Sequence, residues 1–137
     1  HAFAQYLRWQ IIQVVPRVTA IPGPGETLAE HLAGLGERDC VIVFGLRRQT
    51  RQLDTLLAAA HRAGAKIVYI SDRASPDFAD ATWSLQCDCR GPGLLDNHAA
   101  VMGVCDLIAT MVVEAAGSAG RKRLAAIELE HEENGEL

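Results

Sequence analysis

A short apolar segment followed by a helical pattern limits the class of fold that this chain can adopt. Residues 40–44 are apolar and rich in β-branched side chains, and they lie between Asp39 and Gly45. Such a segment is typical of a strand buried on both faces. Leucine and alanine then recur at helical spacing over residues 53–60, and Gly64 is suited to the left-handed end of a helix. We therefore expect a strand that leads directly into a helix.

Three arginines, Arg47, Arg48 and Arg51, lie where this strand meets its helix. In open parallel sheets ligands collect at this edge, because the unpaired N–H groups and the dipole of the helix point there. A cation at a helix N-terminus is disfavoured by about 0.3–1 kcal/mol. Three cations in this position suggest that an anion binds nearby.

The remaining segments alternate between helical and extended patterns. Thr27 and Glu30 form a capping-box pattern, and Ser75 followed by Pro76 is a typical helix start. We expect Gly117 to end a long apolar helix that is buried on most sides. The further predicted helices cover 2–15, 28–35, 76–81, 98–116 and 118–134, and the further predicted strands cover 17–21, 65–70 and 82–87.

Strands that alternate with helices predict an α/β fold, a three-layer sandwich with a central parallel sheet of the flavodoxin-like kind and long C-terminal helices. With 137 residues, 49% of them apolar, we expect a single domain over residues 1–137. The net charge of −4 argues against non-specific nucleic-acid binding by this segment. Residues 99–113 fall short of the roughly 20 residues that span a membrane, so no membrane contact is expected.

Four cysteines, Cys40, Cys87, Cys89 and Cys105, lie in or beside predicted strands and a helix. No secretory signal precedes them, so we expect a cytoplasmic protein. Cys87 and Cys89 could hold a metal, but metal knuckles usually combine two cysteine pairs. We therefore predict inert buried thiols, with neither a metal nor a cofactor.

Four segments carry a resemblance to a known family. They are Asp39-x-x-Ile-x-x-Gly-x-Arg-Arg-x-Thr50, Ala63-Gly-Ala-Lys-Ile-Val-Tyr-Ile-Ser-Asp72, the pair Ser75-Pro76 and the strand at 82–87. Together they resemble the SIS (sugar isomerase) domain. More narrowly, the chain resembles the C-terminal effector domain of RpiR/MurR-type transcriptional regulators.

The resemblance implies a ligand and partners. Family members bind phosphosugars or related carbohydrate acids, and those in regulators transmit ligand occupancy to a separate helix-turn-helix domain. We therefore expect a sensor of an anionic sugar derivative that forms a homodimer or tetramer and contacts DNA only through an attached domain outside this chain. The Gly-rich first strand of the family and the DNA-binding domain are expected to be absent from residues 1–137.

The resemblance also places a binding site. The usual phosphate-binding pattern after the strand is Ser-x-Ser-Gly-x-Thr, of which only the threonine is retained here, and this chain resembles a branch with an Arg-Arg pair. Guanidinium groups suit carboxylate or phosphate because they donate two parallel hydrogen bonds. An asparagine stands where many members have a serine at the start of the long helix, and a histidine follows it. The expected ligand-binding residues are Gly45, Arg47, Arg48, Thr50, Asn97 and His98.

Other interpretations stay open at this point. The arginines could form a solvated loop, or could pair with Asp72 or Asp96. A phosphosugar isomerase is the second interpretation of the function, but no carboxylate or histidine lies between Gly45 and Gln52 to act as the base, so we predict no catalytic residue. The third interpretation is a dimerisation module that has lost ligand binding. Asp106, inside the apolar helix, is expected to bond a neighbouring backbone group or to serve a subunit contact.

Overall fold

Three parallel strands form one open sheet in this protein. The computed structural model describes residues 1–46 and 51–136. The strands are β1 (Cys40–Gly45), β2 (Lys66–Asp72) and β3 (Trp83–Cys87), and they lie in the order β1-β2-β3. The described helices are α1 (Ala2–Ile11), α2 (Leu28–Leu32), α3 (Arg51–Arg62) and α4 (Ala99–Asn134). The prediction of an α/β fold with a parallel sheet and a long C-terminal helical segment is confirmed.

The chain divides into two compact units. The first unit contains His1 and residues Ile21–Met102, which include the sheet, α2 and α3. The second unit contains Ala2–Ala20 and Gly103–Leu137, which include α1 and most of α4.

The core of the first unit forms where β1 and β2 pack against α3. Val43 and Ile67 from the strands and Leu57 and Ala60 from the helix are each at most 3% exposed. This arrangement confirms the strand and the helical spacing predicted from the sequence. The prediction that β1 is buried on both faces is wrong, because Cys40 is exposed and Ile42 and Phe44 are half-buried. Gly64 has φ 71° just beyond the end of α3, as the left-handed stop requires.

Several predicted elements differ from the structure. Residues 17–21 do not form a strand, since no described strand pairs with them, and α1 ends at Ile11 rather than near residue 15. Residues 76–81 do not form a helix, and of these only residues 79 and 80 form a turn. Ser75 does not cap a helix, because its hydroxyl donates to Asp72 Oδ1 (3.0 Å) and its N–H to Asp72 O (3.1 Å).

The capping box before α2 is confirmed. Thr27 is the N-cap residue, and its backbone N–H donates to Glu30 Oε2 at 2.7 Å. This bond satisfies one of the backbone donors that a helix start leaves without an intrahelical partner. The short helix α2 therefore begins where the sequence pattern places it.

The long helix α4 is the largest departure from expectation. Its backbone leaves the helical conformation at Gly117 (φ 52°, ψ −130°), the residue predicted to end the helix. Cys105 is fully buried, but Leu107 and Met111 are 61% and 58% exposed. Of the 18 residues in its most apolar part, 17% are buried. The prediction of a helix buried on most sides is therefore wrong for a single copy, because the chain covers one stripe of a helix that is apolar on several sides.

Within the described residues, α4 is also the one helix whose length and composition would allow it to cross a membrane. A single helix that meets this criterion is weak evidence for a membrane span.

In the second unit α1 lies beside α4, and the two helices run in the same direction. The Tyr6 hydroxyl donates to Asp106 Oδ1 at 2.6 Å. Further along, Arg123 Nε donates to the Ile12 carbonyl oxygen at 2.9 Å. Within this copy the partner of Asp106 is therefore a side chain on the neighbouring helix, and not the backbone group expected from the sequence.

The contact between Tyr6 and Asp106 predicts a pH dependence. The carboxylate accepts a hydrogen bond from the neutral phenol, and this raises the pKa of Tyr6. Because this pKa is higher in the folded state, the stabilisation is fully present below the ordinary tyrosine pKa of about 10 and is lost as the pH rises through the raised pKa. We expect Asp106→Asn to lower the pKa of Tyr6, measured by the ultraviolet absorbance of tyrosinate during alkaline titration.

The variant Tyr6→Phe identifies this transition, because it removes one of the two tyrosines of the chain. If the transition that disappears in Tyr6→Phe has the same midpoint in Asp106→Asn as in the wild type, the carboxylate does not control the phenol in solution.

Candidate functional site

The carboxyl ends of the three strands lie at one edge of the sheet. In the pairing register, Gly45 at the end of β1 lies opposite Ser71, and Asp72 at the end of β2 lies opposite Cys87. Ser71 and Asp72 are each 3% exposed. This edge therefore has buried polar side chains, which is the arrangement that a polar ligand site of a parallel sheet requires.

The start of α4 is fixed to the same edge. The backbone N–H of Asn97 donates to the Cys89 carbonyl oxygen at 2.9 Å, two residues after β3 ends. The side chain of Asn97 accepts the N–H of Ala99 at 3.0 Å, so Asn97 caps the helix. His98 belongs to the first turn, since its carbonyl oxygen accepts the N–H of Met102 at 3.1 Å.

The residues predicted from sequence divide into two groups. Gly45, Asn97 and His98 all lie at the carboxyl edge of the sheet. Arg47, Arg48 and Thr50 lie outside the described residues. Ligand binding by all six residues therefore stays a prediction.

Asp72 organises the turn that leaves β2. Its Oδ1 accepts the N–H of Ala74 at 2.8 Å and the hydroxyl of Ser75 at 3.0 Å. A buried carboxylate requires such donors, because burial without hydrogen bonds is costly. Sequence reasoning considered Asp72 only as a partner for the arginines. An aspartate at the end of a strand, with a serine three residues later, is compatible with such a turn but does not distinguish it from a helix start.

Gly45 is constrained by the aromatic ring of Tyr69. A Cβ atom at Gly45 would lie 2.6 Å from Tyr69 Cζ, with closer contacts to the hydroxyl oxygen and Cε2. The Tyr69 hydroxyl donates to the Pro76 carbonyl oxygen at 3.2 Å, and the ring meets Phe78 edge to face at a centroid distance of 6.3 Å. The glycine predicted as a ligand contact thus also has a steric role, since it admits a ring that contacts the loop after β2.

The two cysteines at this edge are buried, and burial raises the pKa of both thiols. The negative charge of Asp72 raises the pKa of Cys89 further. Both thiols are therefore protonated near neutral pH, the state in which a thiol is a poor nucleophile and a poor metal ligand. Within residues 1–46 and 51–136, no three histidine, cysteine or carboxylate side chains are grouped so that they could hold a metal ion.

Comparisons with known proteins agree with this architecture. The family model of the SIS domain matches residues 1–86. The crystal structure of the sugar isomerase domain of an RpiR transcription factor from Sphaerobacter thermophilus superposes with a TM-score of 0.81. The two chains are 23% identical, and the match covers 93% of this chain and 72% of that one. Likeness at this identity shows a common fold. No curated protein sequence matches the chain.

Proposed function

Because this chain belongs to the SIS domain family, we propose that it is the ligand-sensing domain of a sugar-responsive transcriptional regulator. Its ligand is an anionic carbohydrate derivative, a phosphosugar or a sugar acid, bound at the carboxyl edge of the sheet. The observation that carries this proposal is that Gly45 and the capped start of α4 both lie at the carboxyl edge of the sheet, and that two arginines follow Gly45 after one intervening residue.

The chemistry of the edge suits such a ligand. Arg47 and Arg48 follow β1 by two and three residues, and guanidinium groups bind carboxylate or phosphate with paired, charge-assisted hydrogen bonds. The N-terminus of α4 favours negative charge. In the proposal Thr50 and the backbone of Gly45 contribute further donors, while Asn97 and His98 contact the sugar hydroxyls.

The domain senses its ligand rather than transforming it. An isomerase needs a base beside the sugar carbonyl, and residues 45–52 contain no carboxylate or histidine. The carboxylate of Asp72, at the carboxyl end of β2, is held by the turn that follows this strand. The phosphosugar isomerase interpretation is tested by measuring turnover of the same phosphosugars used in the binding experiments.

In this proposal the domain works in the cytoplasm as a homodimer or larger assembly. Ligand binding changes how two copies pack through α4, and this sets the spacing of attached helix-turn-helix domains on DNA. The exposed apolar side chains of α4, Leu107 and Met111 among them, support a subunit contact on this helix.

A ligand screen by thermal shift tests the proposal. The compounds are glucose 6-phosphate, 6-phosphogluconate, gluconate and glucose, with further phosphosugars and sugar acids beside their neutral parents. A ligand at 100 times its Kd should stabilise the domain by about 2.7 kcal/mol, which raises the Tm by roughly 10 °C in a domain of this size. We expect a shift with an anionic sugar, and none with its neutral parent.

The variant Arg47→Ala/Arg48→Ala should lose this shift, because it removes the guanidinium groups that bind the anion. The matched control is Arg38→Ala/Arg62→Ala, which removes the same charge at two exposed positions and should keep the shift. A shift that persists in Arg47→Ala/Arg48→Ala would place the anion elsewhere. A folded protein that gives no shift with any compound would favour the dimerisation module.

A further inference from the structure

We infer that two copies of this chain pair through α4 in antiparallel orientation, and that a groove beside α1 of each copy receives Arg121 and Lys122 of the other. The inference rests on the proposed homodimer and identifies its surface. The surface comprises the groove and the exposed apolar side chains of α4, all within the second unit.

The groove has a volume of about 330 Å³ and lies between α1 and α4. Two carboxylates, Asp106 and Glu114, contribute to its lining, and no lining residue is a cation. Neither carboxylate forms an ion pair within the described part of the chain. The groove is therefore acidic, and it is lined by Gln10, Asp106, Ala109, Thr110, Val113 and Glu114.

Apolar side chains border this acidic groove on the solvent side of α4. Leu107, Met111 and Val113 are 61%, 58% and 49% exposed. An apolar surface next to a pair of carboxylates suits a partner that combines aliphatic side chains with cations.

The chain itself carries a segment with these properties. Arg121, Lys122 and Arg123 follow each other on α4, and Arg123 is already bonded to the Ile12 carbonyl oxygen. Arg121 and Lys122 are exposed, and neither forms an ion pair among residues 1–46 and 51–136. This charge complementarity with the groove selects a second copy of the chain as the occupant.

An antiparallel two-fold arrangement brings the two charged regions together. Suppose that Lys122 lies opposite Thr110 of the other copy. The two-fold axis that relates the two copies then passes near Ala116, midway between these positions and next to the bend at Gly117. Asp106 and Glu114 then lie about one helical turn to either side of that lysine.

The same register also matches the exposed apolar residues. Leu107 faces the small side chain of Ala125, and Leu129, which is 55% exposed, faces Gly103. A Cβ at Gly103 would have no heavy atom within 4 Å in a single copy, so open space is present for the leucine. The pairing therefore covers apolar side chains in addition to joining opposite charges.

Charge reversal tests the inference, with the dimer Kd measured by sedimentation. Asp106→Lys/Glu114→Lys should raise the Kd at least about tenfold, and Arg121→Glu/Lys122→Glu should do the same, because each turns several symmetric attractions into repulsions. Combining all four substitutions in one chain should restore the Kd to near the wild-type value. Restoration in the combined variant also shows that the substitutions left the fold intact.

The matched control is Glu132→Lys/Glu133→Lys, which makes the same charge change at two exposed positions outside the groove and should leave the Kd unchanged. If either charge reversal leaves the dimer Kd unchanged, or if the Kd does not recover in the combined variant, the groove contact is refuted but the dimer is not. A strict monomer at all concentrations would refute both the contact and the proposed homodimer, but not ligand sensing by a single copy.

Discussion

Ile70→Ala should lower the free energy of unfolding by about 2–5 kcal/mol. Ile70 is fully buried in β2, the central strand, where it lies between Phe44 of β1 and Leu85 of β3 in the pairing register. The substitution removes apolar contacts and leaves a cavity that paired strands on both sides cannot easily close. The measurement is urea denaturation monitored by circular dichroism.

Leu94→Ala is the control for this experiment, because it removes the same number of carbon atoms at a fully exposed position. We expect a change within about 0.5 kcal/mol for this variant. A loss below about 1 kcal/mol for Ile70→Ala would mean that the sheet of the first unit is not the stable centre of the fold.

The sheet and α3 were predictable because the signals that define them are local. β1 and β2 are short apolar runs, and Gly64 ends α3 through a conformation that glycine adopts without strain. Gly117 likewise marks the break in α4. Local patterns of this kind specify a helix or strand wherever packing in the core favours the same element.

The turns after β2 were not predictable in the same way. The sequence Ser75-Pro76-Asp77 fits a helix start, but the same serine can bond backward to an aspartate. The structure selects the turn, because Asp72 accepts two hydrogen bonds from it and Tyr69 bonds the Pro76 carbonyl oxygen. The second of these contacts depends on which face of β2 carries the ring, and a local pattern does not show it.

The exposure of α4 could not be predicted from its own residues. The apolar composition of α4 predicts that its side chains are buried. It does not show whether they pack against the same chain or against another molecule. Leu107 and Met111 are apolar and exposed in one copy of the chain, so the fold of a single copy does not cover them. The proposed pairing also involves Arg121 and Lys122, which lie in the helix predicted over residues 118–134.

The resemblance predicted the place of the candidate site but not the way its strand end is built. Gly45 was expected on account of its position in a binding pattern, whereas the structure also gives it a steric partner in Tyr69. Two strands must be in register before this ring and this glycine meet, and the register pairs Val43, not Gly45, with Tyr69. A contact of this kind is a property of the assembled sheet.

Gly45→Ala should lower the free energy of unfolding by about 1–3 kcal/mol, because its Cβ would overlap the ring of Tyr69. The ring cannot move without disturbing its bond to the Pro76 carbonyl oxygen and its contact with Phe78. Urea denaturation measures the loss, and Gly93→Ala is the control, since a Cβ at Gly93 meets no atom within 4 Å.

A second background separates this steric cause from any other effect of the methyl group. In Tyr69→Leu, which replaces the ring by a shorter side chain, Gly45→Ala should cost clearly less than it does in the wild type, so the two substitutions are non-additive. An equal cost in both backgrounds would show that the ring is not what excludes a side chain at Gly45.

Because Gly45 ends β1 at the proposed ligand edge, displacing the ring should also weaken the ligand-induced thermal shift in Gly45→Ala. Ile70→Ala, in contrast, should lower the Tm and keep that shift. The two variants thus distinguish loss of the core from distortion of the edge that binds the anion.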